Sequence, residues 1–188
     1  MGSISRTQLV AMVKETSIEG KTVLDVGSGA DNNYARNWAK GIPLEYETLD
    51  INPDFKTTHT EDLNEEINLG KKFDVIYCLE TLEHIWNPVQ AIDNLMMHLK
   101  KGGMLYISTP FINPIHDTHD YLRFTGEWYE KVFDRHFNTD LKITPRVATR
   151  GNLQKFYADE GLRMSKIRIA KGDGYKIDDI GYFVEVKN

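Results

Sequence analysis

The sequence is poor in several things, and each shortage narrows what the chain can be. Cys78 is the only cysteine among 188 residues. No disulfide can form within the chain, and a cysteine-based zinc site is disfavoured. A single thiol suits a reducing compartment, so a cytoplasmic location is expected. No apolar run approaches the roughly 18 residues that cross a bilayer, so no membrane partner is expected. The opening MGSISRTQLVAMVKE does not read as a secretory signal, and MGSISR fits the pattern for N-myristoylation only loosely. There is no dense basic run, and the formal net charge is −5. A non-specific nucleic-acid binder carries a positive stripe, so nucleic acid is disfavoured as a partner. Repeats, low-complexity segments and linkers are also missing.

What is present is an ordinary globular balance, 40% hydrophobic and 27% charged. The length suits one domain, expected to span 1–188. Strands and helices alternate along it. Residues 5–16 read as a helix, TVLDV (Thr22–Val26) as a buried strand, and DNNYARNWAKG as a short helix closed by Gly41. LEYETLD alternates apolar Leu44 and Tyr46 with Glu45 and Glu47 in a strand that ends at Asp50, and FDVIYCL (Phe73–Leu79) is the next strong strand. NPVQAIDNLMMHLKKGG carries helix punctuation, with Asn87 as cap, Pro88 in the first turn and Gly102 just past the end. Residues 104–109 read as a strand, and 125–137 and 152–161 as helices. TPRVATRGN reads as a loop whose Arg146 and Arg150 face solvent, the alternative being that they meet an acidic substrate group; residues 162–170 and 182–187 read as a closing antiparallel hairpin. Its connecting loop, with Tyr175 and Lys176, could wall a pocket. The alternation predicts an α/β fold with a mostly parallel sheet. Ligands of such sheets sit beyond the carboxyl ends of the central strands, here after Val26, Asp50, Leu79 and Thr109.

The stretch VLDVGSGADNN turns at two glycines, Gly27 and Gly29. A dinucleotide fingerprint needs a third glycine where Asn32 stands, and no lysine follows to make a phosphate-binding P-loop. A ligand without phosphates is therefore favoured. Asp50, at the next strand tip, suits a pair of ribose hydroxyls, at about 1.5–3 kcal/mol per hydrogen bond to a charged acceptor. An acid near the turn, Asp25, can hold an ammonium or a bridging water, and exposed backbone N–H groups can hold a carboxylate. An adenosyl amino acid, S-adenosylmethionine, meets all of these requirements.

Six stretches in order, VLDVGSG, LDI, EDL, FDVIYCLETLEHI, LKKGGMLYISTP and HDTHDYLRFT, cover about residues 20–137. Together they resemble the class I S-adenosylmethionine-dependent methyltransferases, in particular the small-molecule, methyltransferase type 11-like branch. The resemblance implies a Rossmann-like methyltransferase fold. Its sheet would be mostly parallel and seven-stranded, with helices on both faces and an antiparallel C-terminal hairpin. It also implies roles. Asp25, Gly27, Ser28 and Gly29 would cradle the methionine part, and Asp50 would bind the ribose with Ile51 against the adenine. Asp62 would accept from the adenine amine, with Glu61 as the rival, and Leu63 would supply a backbone contact. Cys78, Leu79 and Glu80 would line the side near the sulfonium. Asp31 departs from the family, which often has another glycine there.

For the methyl acceptor, the stretch after Leu79 has no Asn/Asp-Pro-Pro-aromatic motif, which argues against DNA bases. PFINPIHDTHDYLRFT concentrates His116, Asp117, His119, Asp120, Tyr121 and Arg123. In the resembled branch a similar segment accompanies sugar modification, so a hydroxyl on a sugar or related small metabolite is the expected acceptor. His116 or His119 would be the base, oriented by Asp117 or Asp120. The alternative is a structural corner in which Arg123 pairs with an acid. Glu83 and His84 are either capping and core residues or neighbours of the methyl group. No metal is expected, since these histidine-rich positions lack an obvious carboxylate set. The competing functions are a methyltransferase for protein or RNA, an S-adenosylmethionine enzyme with other chemistry, and a non-catalytic cofactor-binding module.

Overall fold

The computed structural model describes residues 4–30, 34–113, 115, 117–136, 139–149 and 177–188. In chain order the elements are α1 (Ile4–Val13), β1 (Thr22–Val26), α2 (Tyr34–Trp38), β2 (Glu45–Asp50), β3 (His59–Thr60) and β4 (Phe73–Leu79). Then follow α3 (Pro88–Met97), β5 (Leu99–Ile112), α4 (Gly126–Phe133), β6 (Asp140–Thr149) and β7 (Ile177–Lys187). The strands form one seven-stranded sheet in the order β3-β2-β1-β4-β5-β7-β6. The first five run parallel. β7 lies antiparallel to both β5 and β6.

Successive side chains of a strand face opposite ways, and the central strands are buried on both sides. Leu24, Val26, Ile76, Cys78 and Ile107 pack on one face with the apolar stripes of α3 and α4. Val23, Val75, Tyr77 and Tyr106 pack on the other with Leu9 and Val13 of α1 and Ala35 of α2. Reversal of the strand order beside β1 opens a crevice between the carboxyl ends of β1 and β4. Among the described residues no helix is long and apolar enough to cross a membrane.

Two expectations need correction. The helix that starts at Asn87 ends at Met97, not near Gly102. His98 closes it: its backbone N–H donates to Asn94 O (3.2 Å), and its ring accepts from Leu69 N–H at Nε2 (3.0 Å) while Nδ1 donates to Asn94 O (2.7 Å). Leu99 already pairs with Phe73 in the sheet, and Gly102, at φ +76°, donates to Asn188 O from within the β5 register. Residues 144–149, read as loop, belong to β6, the sheet's edge. Pro145 looks like a breaker, but an edge strand tolerates a missing N–H. The antiparallel partners of 182–187 are thus β5 and β6; the expected strand 162–170 and helix 152–161 lie outside the described residues, as do Asp31, Asn32, Arg150, Tyr175 and Lys176.

Candidate active site

The crevice has a volume of about 490 Å³. It is lined from β1 by Val26 and Gly27, from β2 by Leu49, Asp50 and Ile51, and from the following loop by Glu61, Asp62, Leu63 and Asn64. Its other wall is made by Glu80, Thr81, His84, Ile85 and Trp86 after β4 and by Asp117, His119 and Tyr121 after β5. A wider open groove of about 1060 Å³ lies between α4 and β6, but none of the predicted site residues lines it.

The glycine turn is built for close approach. Gly27 sits at φ +68°, and a Cβ there would overlap the Thr81 hydroxyl. Its N–H donates to Leu49 O at 2.8 Å. Gly29, at φ +64°, donates to Asp50 Oδ2 at 3.0 Å, and Asn52 N–H donates to Asp50 Oδ1 at 3.0 Å. Asp50 thus ties the turn to β2 while its carboxylate remains on the crevice wall, and Ile51 stands exposed on the lip. Ser28 is buried, and its hydroxyl oxygen has no partner among the described residues. A buried, unsatisfied hydroxyl beside an open turn is a group that a bound ligand can satisfy.

Asp62 accepts from Asn64 N–H (2.9 Å) and Asn64 Nδ2 (2.7 Å), which shapes the loop around Leu63. Asn94 on α3 holds that loop from below, and sequence periodicity had no way to single it out. Thr81 was also missed. Its Oγ1 lies 3.2 Å from Val26 O and 3.1 Å from Leu79 O, so it sits across the tips of β1 and β4.

Several predicted residues stand elsewhere. Asp25 does not line the crevice; it lies beneath the turn, where Tyr46 Oη donates to Oδ2 at 2.5 Å. Burial pushes its carboxyl up to about 7, with the Tyr46 and Ala35 hydrogen bonds pulling the other way. Cys78 is fully buried in the core, and burial raises its thiol well above the usual range. Leu79 packs against the opposite cluster. Of that trio only Glu80 reaches the crevice wall. Alternation explains the split: Cys78 and Leu79 project to opposite faces of a covered sheet, and Glu80 follows at the strand tip.

In the segment after β5, His116 lies outside the described residues. His119 lines the crevice, with Nδ1 3.0 Å from Tyr121 Oη and the two rings stacked at 5.8 Å. Asp117 also lines it and accepts from Thr118 N–H. Asp120 does not: its side chain is fully buried and bidentate with Arg123, Nη2 to Oδ2 being 2.8 Å. That is the structural corner, and Arg123 reinforces it by donating to Leu122 O and Asn113 O. Tyr121 and Leu122 N–H both donate to Glu83 O (2.9 and 3.3 Å), and His84 Nδ1 donates to His119 O (2.9 Å). The segment is thereby fastened to the 3-10 turn Leu82–His84. Glu83 is wholly buried without a hydrogen bond to its carboxylate among the described residues; burial, then the neighbouring Glu80, raises it well above the carboxylate range. Arg146, expected in solvent, is 1% exposed and pairs with Glu80 at 2.6 Å.

The family described as a methyltransferase domain matches residues 5–141. The ubiquinone biosynthesis O-methyltransferase of Actinobacillus pleuropneumoniae serotype 7 (strain AP76) is 34% identical over 113 residues, covering 51% of this chain and 48% of that protein. The one from Rickettsia akari (strain Hartford) is 30% identical over 153 residues, covering 64% and 59%. The chain thus spans about half the length of such relatives. An S-adenosylmethionine-dependent methyltransferase from Mesorhizobium loti superposes with a TM-score of 0.64 at 14% identity, covering 100% of this chain and 99% of the other. The N-methyltransferase NodS from Bradyrhizobium japonicum WM9, in complex with S-adenosyl-L-homocysteine, gives 0.60 at 12% identity, covering 99% and 88%. At these identities the structures speak for the fold.

Proposed function

The chain belongs to the methyltransferase-domain family, and on that footing we propose that it transfers a methyl group from S-adenosylmethionine to a hydroxyl of a small molecule, a sugar or related metabolite. The observation that carries the cofactor reading is the turn that only glycine can make at Gly27, which lines one crevice with Asp50 and Asp62 and has the orphaned Ser28 hydroxyl next to it in the chain. The ubiquinone biosynthesis relatives, O-methyltransferases by name, favour oxygen as the methylated atom.

When bound, S-adenosylmethionine supplies a methyl group already activated on a sulfonium. Gly27, Ser28 and Gly29 would hold its methionine part, Asp50 the ribose hydroxyls, Ile51 the adenine face, and Asp62 with the Leu63 backbone the adenine edge. What remains for the chain is alignment, exclusion of water and removal of one proton. We assign the last task to His119, which lines the crevice. Its Nδ1 faces the Tyr121 hydroxyl, which would fix the ring with Nδ1 as donor, so that Nε2 would take the proton of the acceptor hydroxyl as that oxygen gains the methyl group and the methyl–sulfur bond breaks. Tyr121 takes the orienting role expected of Asp117 or Asp120.

A thermal-shift titration with S-adenosylmethionine, S-adenosylhomocysteine and NAD tests the cofactor. The first two should raise the melting temperature and NAD should not; the reverse would end this reading. Methyl incorporation into a panel of hydroxylated acceptors should then fall about 10²–10⁴-fold in His119→Ala while S-adenosylhomocysteine binding persists. Retained activity would remove His119 as the base.

A further inference from the structure

We propose that Arg146 is a positioning residue for the cofactor crevice, acting through Glu80 and Thr81; the inference rests on the cofactor reading above. Arg146 starts on β6, at the far edge of the sheet, and its guanidinium ends beside β4. To get there it crosses β7 and β5. Nε donates to Tyr182 O (3.4 Å), and Nη2 donates to Thr109 O (3.0 Å) and to Glu80 Oε1 (2.6 Å). Gly181 stands opposite it in register, and a Cβ there would lie 2.5 Å from Nη2, so the glycine leaves the passage open.

At the other end of the arm, Glu80 holds a left-handed backbone, φ +50°. A non-glycine residue keeps that conformation only where its surroundings impose it. Three groups do so: Ser108 O accepts from Glu80 N–H at 2.8 Å, and the Ser108 hydroxyl and Arg146 both donate to Oε1. The turn at Glu80 delivers Thr81 to the space over Gly27 that a Cβ would otherwise fill. Sheet edge, crevice wall and glycine turn are therefore joined by one continuous set of contacts.

Calorimetric titration of the full chain with S-adenosylhomocysteine tests this, with melting curves as the folding control. Arg146→Met should weaken binding about tenfold. Adding Glu80→Gly should restore most of it, because glycine takes the left-handed conformation unaided; adding Glu80→Ala should not. Native-like binding by Arg146→Met, or equal effects of glycine and alanine at position 80, would overturn the inference while leaving the cofactor reading intact. If Arg146→Met does not fold, Arg146→Lys replaces it in the same comparison. Failure of the unaltered chain to bind S-adenosylhomocysteine would overturn the cofactor reading, and this inference with it.

Discussion

Replacing Asn94 by alanine should destabilise the protein by about 3 kcal/mol and loosen the Asp62–Leu63 side of the crevice. Asn94 is fully buried on α3, and its amide meets the demands of the loop that carries Asp62 and Leu63. Nδ2 donates to Leu63 O (3.2 Å) and Glu65 O (2.7 Å); Oδ1 accepts from Ile67 N–H (3.3 Å) and Gln90 Nε2 (3.2 Å). The contacts with Leu63 and Ile67 are buried, and stranding each group costs about 1–3 kcal/mol. Those with Glu65 and Gln90 are partly open to water and lose less. For a chain of 188 residues, about 2–4 °C per kcal/mol places the melting point roughly 6–12 °C lower. Differential scanning fluorimetry would read the shift, and S-adenosylhomocysteine titration would read the weakened site. Asn94→Asp, which keeps an acceptor but loses both donors and buries a charge, should be no better than alanine. A drop under about 2 °C with unchanged binding would show that the loop does not depend on this amide.

Gly27→Ala should abolish detectable cofactor binding, since its Cβ meets Thr81 and its φ is positive; wild-type affinity in a titration would contradict the close packing. Asp25 has a folded value of about 7 against an ordinary 3.8, because burial disfavours its charge. The folded state therefore holds the extra proton between those values, and this group costs stability progressively as pH rises from about 4 to 7. At 1.36 kcal/mol per pH unit the cost nears about 4 kcal/mol, so the melting advantage of Asp25→Asn should grow from pH 4 to pH 8. A pH-independent difference would refute this. Cys78 is fully buried with a raised pKa, so a thiol reagent at pH 8 should leave the native chain unmodified and label one equivalent after denaturation; rapid native labelling would place the thiol outside the core.

The parts of the fold that depend on local sequence were legible. Phe73–Leu79 is apolar from Val75 onward because both its faces are covered there, and it forms the strand that its pattern predicts. Asn87 caps α3 by accepting from Gln90 N–H. Gly27, Asp50, Ile51, Asp62, Leu63, Glu80 and His119 meet in one crevice because strand tips of a parallel sheet share a rim, while Ser28 and Gly29 of the same turn do not line it. The Asp120–Arg123 pair was legible as one of two alternatives, because its members stand only three positions apart.

Legibility failed where a residue's environment is supplied from far along the chain. Leu141 and Ile143 alternate like a strand, but Pro145 and Arg146 interrupt the pattern, and only an edge position makes the proline harmless. An arginine in a polar segment reads as solvated, because charge is costly to bury unless it is paired. Its partner, Glu80, is 66 residues away, and the space it needs is left by Gly181. Asp25 reads as a ligand-facing acid by resemblance, yet Tyr46, 21 residues on, turns it beneath the turn instead. In each case a polar group became buried because a second segment met its hydrogen-bonding demand, and single-segment periodicity carries no record of that second segment. The crevice depends on such pairings more than the core does: a hydrophobic residue will pack against almost any neighbour of suitable size, whereas a carboxylate at a strand tip needs one particular donor in one place.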